Sequence, residues 1–153
     1  MLAVGCSSGG GNDKAAPAFD LEALGQHGER VTLAEHRGTP VVLNFWASWC
    51  APCVKEMPLL ERTHQRLGDD VQFLGIDGND SRRLAVDLMA KTKVTYPSGY
   101  DPKDAVFRQY RLRGRPTTVF IDADGTIKGI HAGELKEADL HDLLRRYLGI
   151  DAT

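Results

Sequence analysis

An α/β domain with a mixed sheet lying between helices is the fold class this sequence predicts. Short apolar runs rich in β-branched and aromatic residues recur along the chain, and amphipathic stretches of helical period separate them. The resulting order, βαβα(α)ββα, mixes crossover connections with hairpins, which a purely parallel or purely antiparallel sheet would not need. With 153 residues, 42% hydrophobic and 26% charged, the chain suits one compact domain with its own core. Nineteen Lys and Arg stand against 21 Asp and Glu, a near balance that argues against an electrostatic nucleic-acid binder. No apolar run is long enough to span a bilayer.

The folded domain is expected over residues 19–153. Phe19 to Leu24 alternates, Gly25 to Gly28 supplies turn chemistry, and Glu29-Arg30-Val31-Thr32 returns, so a β-hairpin is predicted as an N-terminal extension. Pro40-Val41-Val42-Leu43-Asn44-Phe45-Trp46 has the composition of a strand buried on both faces. A helix follows from about Ala51 to Leu67, with Pro58 placed to kink it. Next come a buried strand over 71–76, a helix from Ser81 to Lys91 and a short helix from Asp104 to Tyr110. Two strands, 117–121 and 126–130, are joined by the turn Asp122-Ala123-Asp124-Gly125, which lacks the further ligands of a calcium loop. In the last helix Leu140, Leu143, Leu144, Tyr147 and Leu148 fall on one face, and Gly149 stops it.

Trp49-Cys50-Ala51-Pro52-Cys53 sits where a buried strand hands over to a helix. Unpaired N–H groups and the helix dipole at that terminus stabilise a thiolate on Cys50. Cys53, one turn on, lies within reach for a disulfide, and Pro52 fits the first turn, where its missing N–H costs nothing. A zinc site would need two more ligands, and the five histidines show no paired ligand spacing, so no metal is expected. A structural disulfide across two residues closes almost no loop and adds little stability. Redox exchange explains the motif better, with no cofactor beyond the disulfide itself.

Residues 17 to 149 resemble the TlpA/ResA/CcmG-like branch of thioredoxin-fold thiol–disulfide oxidoreductases. The stretches from Arg37 to Cys53 and from Gly114 to Asp122 carry the likeness. The resemblance implies a thioredoxin fold, Cys50 and Cys53 as the exchanging pair, and Trp49 packed over the site. It also implies that Pro116 is the cis-proline facing the disulfide. Thioredoxins proper have a buried Asp six residues before the first cysteine; Asn44 stands there and cannot titrate. Glu56 matches the branch's acidic position and becomes the candidate to take the proton of Cys53. Asp80 resembles a second acidic position, but ahead of Ser81-Arg82-Arg83 it reads as an ordinary helix cap. Arg115, just before Pro116, would favour a Cys50 thiolate if its guanidinium lay nearby.

The third cysteine stands apart. Leu2-Ala3-Val4-Gly5-Cys6, followed by a Gly/Ser tract, resembles the lipobox of bacterial lipoproteins, so residues 1–18 are read as a truncated signal remnant and a flexible linker. Lipid on Cys6 would anchor an otherwise monomeric extracytoplasmic domain to a membrane. The uncharged Ala51-Pro52 pair between the cysteines favours a reducing dithiol. Family resemblance then implies reduction of protein disulfides such as apocytochrome c thiols, with electrons from a membrane thiol carrier. The alternative is a disulfide oxidase for secreted-protein folding. A thiol peroxidase would carry Pro and Thr seven and three residues before the reactive Cys, where this chain has Leu43 and Ala47. A copper-binding module would space its cysteines CxxxC.

Overall fold

The computed structural model describes residues 13–153. Cys6 and most of the tract after it lie outside the described residues. One eight-stranded sheet runs in the order β1-β8-β7-β4-β5-β6-β2-β3. Its centre is β4 (Val41–Trp46), paired in parallel with β5 (Gln72–Gly78) and antiparallel with β7 (Thr117–Ile121). All six β4 residues are buried, as expected for a strand covered on both faces. β7 continues through the Asp122–Gly125 turn into β8 (Thr126–Ala132). This is a thioredoxin fold with a mixed central sheet.

The two faces of the sheet carry separate cores. Val42, Trp46, Phe73 and Phe120 pack with Met57 and Leu60 of α1 (Ala51–Leu67), Ala85 of α2 (Arg82–Thr92) and Leu140 of α4 (Glu137–Leu143). Leu43, Phe45, Ile76 and Val119 pack with Val106 of α3 (Ala105–Gln109) and with Tyr110 just beyond it. Helix α1 runs unbroken through Pro58 and ends at Gly68, whose φ of 50° closes the last turn onto His64. After α4 the chain widens into a π-helical turn, Leu144–Leu148. There Tyr147 lies so close to Gly129 of β8 that a Cβ at 129 would fall 2.1 Å from its ring.

Two strands lie outside the pattern read from sequence. β1 (Lys14–Ala15) pairs with Ile127 and Thr126, so the residues just before 19 are docked on the sheet rather than forming free linker. β6 (Ser98–Asp101) is a Ser-Gly-Tyr-Asp segment without apolar alternation. It pairs with β5 on one side and with β2 (Asp20–Ala23) on the other, which joins the predicted hairpin of β2 and β3 (Arg30–Thr32) to the sheet. No helix among the described residues is long and apolar enough to cross a membrane.

Candidate active site

The site forms beyond the C-terminal end of β4, the end of a parallel pair where α/β sheets place their chemistry. Cys50 is the N-cap of α1, and its Sγ accepts the Cys53 backbone N–H at 3.3 Å. Pro52 lies in the first turn. Cys50 and Cys53 form a disulfide, with their Cα atoms 5.2 Å apart. Cys53 is fully enclosed, while Cys50 keeps 5% of its surface. The attacking sulfur is therefore more shielded than an exposed nucleophile would be. The same cap N–H and helix terminus that hold the Cys50 sulfur stabilise its charge once the disulfide opens.

Glu56 lies one turn beyond Cys53 on the same helix and is 1% exposed. Its carboxylate accepts Asn44 Nδ2 at 2.7 Å and the Leu135 backbone N–H at 2.8 Å. Burial pushes its pKa up to about 7, and those two donors oppose the rise. Asn44 also donates to Thr118 Oγ1 at 3.1 Å, so the residue replacing the usual buried Asp orients the acid instead of titrating. A carboxyl poised near neutrality beside a buried thiol can take and return a proton.

Asp80 does more than mark the start of α2. Its side chain accepts the Ser81 N–H at 2.7 Å, but also the Ser48 N–H at 2.5 Å and Ser48 Oγ at 2.7 Å. The expected local cap is thus a tie across to the loop that presents Cys50. Burial pushes the Asp80 carboxyl up, yet the Asp77 carboxyl beside it and the Ser48 and Ser81 donors hold it below the usual range. Asp77, not singled out from sequence, is fully buried at the end of β5, in register with Trp46. Burial, with Asp80 adding to it, raises Asp77 to about 9, so it carries a proton at neutral pH. The available signal was an acid closing the apolar run Phe73–Ile76 on the strand parallel to β4.

Arg115 does not carry a free guanidinium. Its side chain is only 6% exposed and pairs with Asp104, with the guanidinium 4.2 Å over the Phe107 ring. The charge is engaged by Asp104, which ties the loop ahead of Pro116 to the start of α3. The Arg115–Pro116 peptide is cis. Trp49 is 58% exposed, donates Nε1 to Asn79 O at 2.9 Å, and its ring lies 6.0 Å from the Arg115 guanidinium. Trp46, by contrast, is wholly buried, its Nε1 donating to Ser98 Oγ.

Several proteins similar to this chain are described as thiol–disulfide oxidoreductases. Residues 13–130 match the AhpC/TSA family model. The chain is 32% identical over 128 residues to the thiol-disulfide oxidoreductase ResA of Geobacillus kaustophilus, covering 82% of this chain and 71% of that protein. Among solved structures, a DsbF homologue from Corynebacterium diphtheriae superposes with a TM-score of 0.79 at 28% identity, covering 94% of this chain and 98% of that one. A secreted Mycobacterium tuberculosis disulfide oxidoreductase homologous to E. coli DsbE does so at 0.71 and 25% identity, over 80% and 90%. The chain belongs to the AhpC/TSA family and, within it, to the ResA-like thiol–disulfide oxidoreductases.

Proposed function

We propose that this oxidoreductase works outside the cytoplasm as a reductase of protein disulfides, including Cys-x-x-Cys-His segments of apocytochrome c before haem attachment. The observation that carries the direction is the uncharged Ala51-Pro52 pair between the cysteines. It brings no cation beside the Cys50 thiolate, so the reduced form gains less stabilisation than in a strong oxidant. Leu43 and Ala47, both buried, put no hydroxyl where a peroxide-binding site would need one.

In the reaction, the Cys50 thiolate attacks one sulfur of the substrate disulfide. A bond forms between Cys50 and that sulfur, the substrate S–S bond breaks, and the departing thiolate takes a proton from water. Glu56, ionised, then accepts the Cys53 proton. The Cys53 thiolate attacks Cys50 Sγ and releases the second substrate thiolate, which is protonated in turn. Two electrons have passed to the substrate, and the Cys50–Cys53 disulfide remains for a membrane dithiol carrier to reduce.

The secreted relative supports an extracytoplasmic site of action. Lipid on Cys6 would keep the domain beside that carrier and raise its effective concentration there. The test is direct. The dithiol protein is mixed with an oxidised Cys-x-x-Cys-His peptide, and free peptide thiol is followed. Near-complete transfer to the peptide supports the reductase. If reduced peptide instead becomes oxidised by the disulfide form, the direction is that of a folding oxidase.

A further inference from the structure

Thirteen residues, 103–115, hold Lys103, Arg108, Arg111, Arg113 and Arg115 against the single acid Asp104, in a chain whose net charge is −2. This basic stretch leads straight into Pro116. Asp104 neutralises Arg115. Arg111 and Arg113 are exposed and, among the described residues, form no salt bridge. Nearby acids are already engaged: Asp13 with Lys128 and Glu134 with Lys136. The free charge of this rim is therefore positive.

The rim borders a groove. Arg111, Leu112, Arg113, Pro116, Ile130 and Gly133 line it. A second hollow, sharing Arg111 and Ile130, extends it towards Lys14 and Pro17. Ile130 is 47% exposed, one of only three large apolar side chains so exposed among the described residues. Trp49, beside the disulfide, is another. Arg111 is held at φ 56°, a conformation unfavourable to a residue with a Cβ, with its N–H bonded to Arg108 O at 3.0 Å. One end of the groove reaches Pro116 and Thr117, and Thr117 pairs with Phe45 near the C-terminal end of β4, ahead of the Cys50 loop.

We propose that this groove docks an extended acidic segment of the disulfide-bearing polypeptide, carboxylates against Arg111 and Arg113 and an apolar side chain against Ile130. The inference rests on the reading that protein disulfides are the substrates, and it adds their flanking chemistry. Charge complementarity selects the occupant: a basic segment would meet only like charge here. A partly apolar groove that starts at Pro116 suits a polypeptide strand better than the anionic face of a bilayer.

Two oxidised peptides, identical except for three Asp or three Lys beside the disulfide, test it with the full chain in its dithiol form. Each kcat/KM is divided by the same protein's rate on bis(2-hydroxyethyl) disulfide, which has no flanks to dock. The wild type should favour the Asp peptide about tenfold at low salt, and 0.5 M NaCl should erase most of the preference. Arg111→Glu/Arg113→Glu should reverse it, and Arg111→Ala/Arg113→Ala should flatten it. Equal rates for both peptides, or a preference that survives charge reversal, overturn the docking surface while the reductase stands. Loss of binding to phosphatidylglycerol vesicles in the reversed variant, with peptide preference intact, assigns the rim to a membrane and also overturns it. A wild type inert on the small disulfide and on both peptides removes the underlying activity itself.

Discussion

Cys50→Ser should reduce disulfide turnover to background, whereas Cys53→Ser should stall the reaction with substrate covalently held on Cys50. The asymmetry follows from burial and position. Only Cys50 keeps any surface, and only Cys50 sits at the helix N-terminus, with the Cys53 N–H on its sulfur. Without Cys50 the motif offers no sulfur that a bulky substrate can reach, so no mixed disulfide forms at the site. Without Cys53 the mixed disulfide forms but cannot be resolved from within. Non-reducing gels of the two variants with a protein disulfide substrate, followed by peptide mapping, check this. Covalent partners accumulating on Cys53 in the Cys50→Ser protein would reverse the assignment.

The next largest effect is expected at Glu56→Gln. General-base assistance is worth roughly 10²–10⁴, so resolution of the mixed disulfide at pH 7 should slow by about 100-fold. In the wild type that step should rise as Glu56 ionises near pH 7. In the variant the rise should move to higher pH, because burial disfavours the thiolate and no base assists it. Stability supplies a second reading of the same carboxyl. Its folded pKa, about 7, lies above the unfolded value of 4.5, so the folded state keeps a proton the unfolded chain has lost. The stabilisation is full below pH 4.5 and is lost as pH rises through 7, a change of about 3 kcal/mol. Gln can still accept from Asn44 but not also from Leu135 N–H, a loss of about 1 kcal/mol. Denaturation curves of the two proteins should therefore cross, the variant less stable at pH 4 and more stable at pH 8. Parallel curves would mean that Glu56 is ionised throughout.

Local patterns were enough for the parts of the molecule that local patterns control. The apolar run 41–46 and the helix 51–67 could be read from composition and period, and the WCAPC motif fell at their junction. β6 could not, because Ser98, Gly99 and Tyr100 form a strand only through partners on both sides: β5 and a hairpin some 70 residues earlier. Pairing of that kind is a tertiary decision that propensity does not encode. The same holds for the site. Asn44 and Glu56 could be named from the resemblance, but their hydrogen bond, and the Leu135 N–H that completes it, join segments 12 and 79 residues apart. Asp77 escaped notice because a lone acid at a strand end usually faces water, and only the parallel register with β4 buries it. Arg115 was legible as a neighbour of Pro116, but not as the partner of Asp104.

The reduction potential of the Cys50–Cys53 pair, measured by equilibration against glutathione or dithiothreitol, tests the reductase reading most directly. A value near that of thioredoxin, about −270 mV, is the predicted result. A value near about −120 mV, where strong oxidants lie, would contradict it and make the protein a donor of disulfides.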